Sequence, residues 1–519
     1  MDATATPSLI VFIVYFVAIV TIGALVYQRN NTLADFVLGG RSLNKWVAAL
    51  SAQASDMSGF ILVALPGAAY AGGLGAGWIA FGLAIGTYIN WRVNATRLRL
   101  YTEKAGATHK TGGSITISEY FQHRFEDPTR LLRLLSAIVI VFFFSIYVAS
   151  GLAAGSLLFD EVFGLGPNTA ITIMALIIVS YTFLGGFLAV SYTDFFQGSL
   201  MWIGLLVVAV AVASVLGNDL GSGIRAASPQ LLSPVGHVSI NESGGWTTGG
   251  GLGVVVILSG LSWGLGYFGQ PHILARFMGI RRASDVAPAR RIAVGWVITG
   301  LAAAAFIGLA GIALFDEQLA NPETVFIDTV QRLMNPWVAG ILLVGVIAAI
   351  MSTADSQLLV VSSALSEDFY RAFLHRAASE RTLLWVGRAT VVLVAAIAYV
   401  LALGAESVLG LVEYAWAGFG ASFGPIILLS LYWRRMTWPG ALAGMISGAG
   451  TVVVWRSVDP FGWGLYELLP GFLVAMLCIY ICSILGPRPS LRMTTDFEDV
   501  HAELAHMRGH RTTSTTTMS

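Results

Sequence analysis

Ten residues, Ser51-Ala-Gln-Ala-Ser-Asp-Met-Ser-Gly-Phe60, place hydroxyls, an amide and a carboxylate inside a run from Trp46 to Gly72 that is otherwise apolar and long enough to cross a bilayer. A carboxylate at that depth (Asp56) costs about 3 kcal/mol or more on insertion scales, so it has to be compensated. Ser51, Ser55, Ser58 and Gly59 weaken the helix around it and leave backbone carbonyls short of donors. Broken backbone in hydrocarbon persists only where protein or a water-lined cavity satisfies it. A bound monovalent cation such as sodium satisfies the carbonyls and the acid together, with five or six hard oxygen ligands by analogy with other hard cations.

A second polar cluster lies in Ala349-Ile-Met-Ser-Thr-Ala-Asp-Ser356. Ser352 and Ser356 share a helix face at i, i+4, and Asp355 lies close to it at i, i+3. Hydroxyls here either complete a cation site with carbonyls such as those of Ala54 and Met57, or bond back to the preceding turn and let helices pack closely. Asp194, in Ser-Tyr-Thr-Asp-Phe-Phe-Gln, reads as the N-cap of a following helix or as a functional acid. Arg41 either snorkels to the headgroups or serves a gate. Trp263, Tyr267 and Tyr147 are core or interface anchors by default. Their neighbours Gly264, Gly266 and Gly151 leave room for a small ligand, and a ring can stack on a compact aliphatic one.

These residues need a membrane scaffold. The 519 residues are 56% hydrophobic and only 11% charged, with mean hydropathy +0.75, far from the one-quarter charged content of soluble domains. Segments of about 20 residues span the hydrocarbon. Thirteen are expected: 7–27, 46–72, 77–98, 131–158, 169–191, 196–216, 252–272, 290–314, 336–372, 383–404, 407–432, 438–456 and 463–486. With the N-terminus outside, the inward segments hold 25 of the 29 Lys and Arg, which orients the chain with a cytoplasmic C-terminus. The first span has no basic residue ahead of it, so it is not read as a signal peptide.

Residues 103–127 are expected to form a cytoplasmic loop with a short surface helix, and 217–250 and 315–335 to form external loops. The polar tail, 487–519, is expected to be disordered. Span 7 is interrupted at Trp263-Gly-Leu-Gly-Tyr-Phe-Gly-Gln-Pro271, five spans after the break in span 2. Interrupted segments in corresponding positions point to inverted repeats, here spans 2–6 and 7–11, with the site at the breaks. The fold class is therefore all-α and polytopic, with one transmembrane domain over residues 1–486.

Other patterns carry no chemistry. Gly72–Gly77 imitates a dinucleotide loop but follows a span, and His501-Ala-Glu-Leu-Ala-His506 lacks the order of a zinc-protease motif. Cys478 and Cys482 read as small buried hydrophobes. No phosphate-binding loop is present, so transport is not driven by ATP hydrolysis within this chain, and no enzymatic activity is expected.

Leu38-Gly-Gly-Arg-Ser42, Ala54-Ser-Asp-Met-Ser-Gly59, the run Trp263–Phe277, Met351-Ser-Thr353 and Tyr414-Ala-Trp-Ala-Gly-Phe-Gly420 resemble the sodium/solute symporter family over most of the chain. The resemblance implies import of L-proline coupled to sodium in a bacterial plasma membrane. It implies a sodium site from Ala54, Met57, Ala349, Ser352 and Thr353, with Asp56, Arg41 and Asp194 serving coupling. Substrate is implied near Ser58, Gly59, Phe60, Tyr147, Trp263, Tyr267 and Pro271. Two positions depart from the family's best-known proline carriers: Phe60 stands where they have Trp, and Asp355 where they have a neutral residue. A second sodium at Asp194, Ser352, Asp355 and Ser356 is one reading of the latter. The expected partners are proline, sodium and the lipid bilayer, with neither nucleic acid nor an obligate protein partner. Rival readings are another cargo (pantothenate, a monocarboxylate, a sugar), a proton in place of sodium, a proline sensor, or a membrane enzyme.

Overall fold

The computed structural model describes residues 5–27, 37–104, 113–182, 186–236, 238–241, 245–248 and 253–516. Ten helical runs among them are long and apolar enough to cross a membrane, and two shorter apolar helices, Pro167–Thr182 and Val254–Gly269, fall below that length. Large apolar side chains such as Leu176, Val210, Val400 and Leu477 are more than half exposed, as helix faces turned to hydrocarbon must be.

The first helix, α1 (Ala5–Tyr27), is followed by α2 (Lys45–Met57), whose first turn is capped by the Asn44 side chain accepting from Trp46 N and Val47 N. At Ser58 the backbone turns to φ +45°, a left-handed value costly for a residue with a Cβ. A wide π turn, Phe60–Ala64, then leads into α3 (Leu65–Gly72). Helices α4 (Gly77–Val93) and α5 (Ala95–Lys104) run on toward α6 (Ile117–Phe125), α7 (Leu131–Phe163), α8 (Pro167–Thr182) and α9 (Phe187–Leu216). Next come α10 (Asp219–Ala227) and the antiparallel hairpin β1 (Val238–Ile240) and β2 (Trp246–Thr248), paired Val238 with Thr248. The second interrupted rod is α11 (Val254–Gly266), a tight turn Tyr267–Gly269, extended Gln270, and α12 (Pro271–Gly279). Pro271 lacks the N–H that a continuous helix would need, so the break falls just before it.

Helices α13 (Val286–Leu314), α14 (Val325–Leu333), α15 (Pro336–Ser363), α16 (Glu380–Leu403), α17 (Val408–Tyr432), α18 (Trp438–Val458), α19 (Leu468–Leu485) and α20 (Leu491–Thr516) complete the chain. Helix α15, extended by a π-helical run to Leu374, is buried nearly all round and is the central rod. Both broken helices pack against it. In the segment before α15, Glu323 accepts from Val408 N (3.0 Å) and Leu409 N (2.9 Å), so its carboxylate caps α17.

Three expectations are corrected. Residues 192–195 are not a connection between spans: α8 ends at Thr182 and α9 already begins at Phe187. Thr193 and Asp194 are buried within α9, where Thr193 Oγ1 accepts from the Tyr181 hydroxyl (2.9 Å) and Asp194 from Ser51 and Arg276, while Tyr192 stays exposed. The short helix α6 is not a surface element. Most of its residues are buried, with Arg124 Nε donating to Ser430 O (3.0 Å). Most of the tail is a helix rather than disordered chain. α20 buries Val500 and Leu504, sets Phe497 beside Tyr101, and ion-pairs through Lys104–Glu503 (2.9 Å) and Arg434–Glu498 (2.8 Å). Its polar composition hid an apolar stripe.

Helices α4 and α11 touch backbone to backbone at Gly82, Gly86, Gly260 and Gly264, where any added Cβ would overlap the partner's main chain or the Trp78 side chain. Gly264→Val is expected to cost about 1–3 kcal/mol in overpacking and to lower the melting temperature in detergent. Gly295→Val, which meets open space, should leave it unchanged.

Candidate functional site

The last turn of a helix leaves carbonyls without in-helix donors. At the end of α2 this shortage is met by α15. Ser352 Oγ donates to Ala54 O (2.8 Å) and lies 3.0 Å from Ala349 O, and Thr353 Oγ1 is 3.2 Å from Ala54 O. Four oxygens of the expected sodium set, those of Ala54, Ala349, Ser352 and Thr353, thus meet where the broken helix abuts the central rod. Met57, the fifth, is the last residue of α2. Hydroxyls bonded to carbonyls make an exchangeable set, because an O–H can rotate away and leave hydroxyl and carbonyl oxygens together facing a cation.

Asp56 is buried at 3% exposure, with no basic side chain within ion-pair distance among the described residues. Its Oδ2 accepts from the Tyr267 hydroxyl (2.6 Å), and its backbone carbonyl from the Tyr147 hydroxyl (3.2 Å). Through its carboxylate and its backbone carbonyl, this one residue therefore links both interrupted helices and α7. Ser58 Oγ accepts from Phe60 N (3.1 Å), steadying the turn. Gly59 leaves no room for a side chain against Ala154.

The second break is satisfied differently. Asn90 Nδ2 donates to Tyr267 O (2.9 Å), Trp416 Nε1 to Trp263 O (2.8 Å), and Gln270 Nε2 to Gly266 O and Trp416 O (both 3.2 Å). The Trp263 indole is sandwiched between Phe60 and Tyr466, with centroids 5.4 and 5.3 Å away and both ring planes tilted 28°. Beyond it lies a cavity of about 270 Å³, lined in part by Gly75, Trp78, Val238, Ser259 and Glu413. On the opposite side Pro271 borders a cavity of only about 20 Å³, next to Arg276, Phe187 and Asp368. The expected substrate residues Ser58, Gly59, Phe60, Tyr147, Trp263, Tyr267 and Pro271 are all buried around the two breaks.

Asp194 is not an N-cap. It sits inside α9, fully buried, where Oδ2 accepts from Ser51 Oγ (2.7 Å) and Arg276 Nη2 (3.1 Å). Arg276 spends its other donors on Ser51 Oγ (3.1 Å), His272 O (3.1 Å) and Ser356 Oγ, and lies over the Phe187 ring. The four residues of the second-sodium reading are therefore divided. Asp194 and Ser356 share Arg276, Ser352 faces the first break, and Asp355 accepts from Thr182 Oγ1. The other oxygen of Asp355 has no partner among the described residues.

Arg41 does not snorkel. It donates to Thr102 Oγ1 (3.1 Å), Thr102 O (2.8 Å), Ser114 O (3.0 Å) and Met278 O (3.3 Å), fastening the approach to α2 onto α5 and α12. Burial, and behind it the nearby Arg99 guanidinium, lowers its pKa to about 10. Sequence reasoning gave Arg276, Thr182, Asn90, Gln270, Trp416 and Tyr466 no role. Arg276 left a signal, since a guanidinium in an apolar segment needs a carboxylate, and Asp194 was available.

Two interrupted helices set against a central rod, with a buried acid at the first interruption and side-chain donors meeting the carbonyls of both, define a secondary-transporter scaffold. Residues 36–448 match the model of the sodium:solute symporter family, and the chain belongs to that family. It is similar to the sodium/proline symporter of Escherichia coli (strain K12), 47% identical over 509 residues, covering 96% of this chain and 97% of that protein. It is also similar to the high-affinity proline transporter PutP of Bacillus subtilis (strain 168), 45% identical over 92% of this chain and 98% of that protein. Among solved structures, a Na⁺-coupled sialic acid symporter in a substrate-bound outward-open state shares the fold, with TM-score 0.74 at 18% identity over 93% of this chain and 99% of that one.

Removing one member of the Asp194–Arg276 pair strands a buried charge. Asp194→Asn or Arg276→Gln is expected to cost about 3–5 kcal/mol. Thermal unfolding in detergent should show the double variant recovering a large part of that loss.

Proposed function

We propose that this chain imports L-proline together with sodium across the bacterial plasma membrane. The observation that carries this reading is the oxygen cluster of Ala54, Ala349, Ser352 and Thr353 at the end of α2, two residues from Asp56 and bordered by the Phe60–Trp263 stack. The curated relatives, named as proline carriers at 41–47% identity over nearly the whole chain, support the cargo. Sodium would be held by Ala54, Met57, Ala349, Ser352 and Thr353, with proline beside it against Ser58, Gly59, Phe60, Tyr147, Trp263, Tyr267 and Pro271. Asp56 would join the two, because Tyr267 and Tyr147 both bond to it. Arg41 and Asp194 would set the closure on the inner side. In this reading thirteen spans carry inverted repeats in spans 2–6 and 7–11, with the N-terminus outside and the C-terminus in the cytoplasm.

One sodium moving down about 100 mV releases roughly 2.3 kcal/mol, and a tenfold concentration ratio adds about 1.4. Together these sustain accumulation of roughly 500-fold. Coupling requires the ion to favour the state that accepts substrate from outside. A second sodium at Asp194, Ser352, Asp355 and Ser356 is favoured by one observation, the unpartnered oxygen of Asp355. It would require Arg276 to release Asp194.

In proteoliposomes, labelled proline should accumulate with an inward sodium gradient and not with choline in its place at the same pH. Asp56→Asn should reduce uptake by about a hundredfold or more, consistent with loss of one charge-assisted bond network. Equal uptake in the two buffers, or displacement of proline by pantothenate or a monocarboxylate at lower concentration, would overturn the proposal. A sodium-to-proline flux ratio near 1:1 would remove the second sodium.

A further inference from the structure

His272 is fully buried, and neither ring nitrogen has a hydrogen-bond partner among the described residues. Orphaned buried polar groups are uncommon because each forfeits its hydration. Here two lie on one ring, within the second interrupted helix. The imidazole stands edge-on to Tyr147 (6.2 Å, 86°) and Phe144 (5.5 Å, 64°), on the α7 side of the break. The same Tyr147 reaches the backbone of Asp56 through its hydroxyl.

The backbone adds a second reason. His272 is the second residue of α12, behind a proline that has no N–H. The first in-helix bond of this rod is Leu274 N to Gln270 O (3.0 Å), so the amides of His272 and Ile273 precede it and stay without in-helix acceptors. A half-helix that starts inside the membrane carries a partial positive charge there, and its free amides suit an anion. Helical side chains lean toward the N-terminus, which brings the imidazole to that same end. The other cation nearby cannot serve. Arg276, one turn further on, has its donors engaged by Asp194, Ser51, Ser356 and the carbonyl of His272 itself.

We propose that His272, with the opening amides of α12, receives the carboxylate of the transported solute. The inference rests on the transport reading above and deepens it by assigning one end of the substrate. A neutral imidazole offers one N–H and one lone pair. The N–H would donate to a carboxylate oxygen, leaving the ring of the solute toward the aromatic residues of the site. The empty carrier keeps an unsatisfied donor that only a carboxylate-bearing cargo can meet, so a cyclic amine without the acid is rejected.

The test uses the full-length chain in proteoliposomes and in detergent, with L-proline and L-prolinamide as probes. His272→Leu should raise the KM for proline about tenfold to a hundredfold, as loss of a hydrogen bond to a charged group implies, with Vmax much less affected. His272→Gln, which keeps a donor, should recover part of it. Wild type should prefer proline over prolinamide, and that preference should collapse in His272→Leu. Because the substitution removes an unpaired buried group, the melting temperature of the substrate-free Leu variant should be equal to or above wild type, while the upward shift produced by proline is lost. A proline KM within about threefold of wild type in His272→Leu overturns the assignment. So does an unchanged proline-to-prolinamide ratio in His272→Leu, or equal weakening of both ligands by that substitution. If wild type itself shows no sodium-dependent proline uptake, the transport reading fails instead.

Discussion

The shortage of donors at the end of α2 is the constraint that the rest of the structure answers. A carbonyl without a partner in hydrocarbon is expensive, and the chain brings a helix buried nearly all round, α15, alongside to meet it with two hydroxyls. The second interrupted rod solves the same problem with side-chain amides and an indole, from Asn90, Gln270 and Trp416. Those donors are held by their own packing and hold the break open as fixed architecture. In the proposed sodium site the carbonyl now bonded to the α15 hydroxyls would turn to the ion, which would make this break responsive and the other one structural.

Above and below the breaks, the molecule is closed by different physics. On the side of the β hairpin, three stacked rings from Phe60, Trp263 and Tyr466 form the partition, a contact with little directional preference that ring sliding can undo. On the other side, charge does the holding. Asp194 and Arg276 meet directly at 3.1 Å, and Arg41 ties the approach to α2 onto α5 and α12. A buried ion pair contributes little net stability but tolerates only one geometry. It therefore specifies an arrangement more than it strengthens one. A carrier that must spend time in two arrangements is well served by closures that differ in kind, since a change at one need not disturb the other.

Much of this was legible in the residues. Apolar runs gave the helices, the Ser-Asp-Met-Ser-Gly stretch gave the first break, and Pro271 gave the second, because each signal is local. What was missed depended on tertiary company. Asp194 reads equally as an N-cap or a functional acid, since nothing in Ser-Tyr-Thr-Asp tells that Arg276, 82 residues later, will pair with it. For Arg41 the choice between a headgroup contact and a gate stays open in the sequence because most of its acceptors are backbone carbonyls, which have no signature there. The tail looked disordered because the stripe of Met493, Phe497, Val500 and Leu504 is thin and is buried only against other elements. Phe60, by contrast, is set beside the site by the resemblance, and its ring stacks on Trp263 in the structure.

The glycines shared by α4 and α11 carry a consequence for how such a molecule can diversify. Where two main chains touch without intervening side chains, the pair behaves as one stiff plank, and the four positions admit no chemical variation. Novelty in cargo must then arise from the residues hung on that plank's free edges. Lineages can trade one solute for another while the hinge beneath them stays the same.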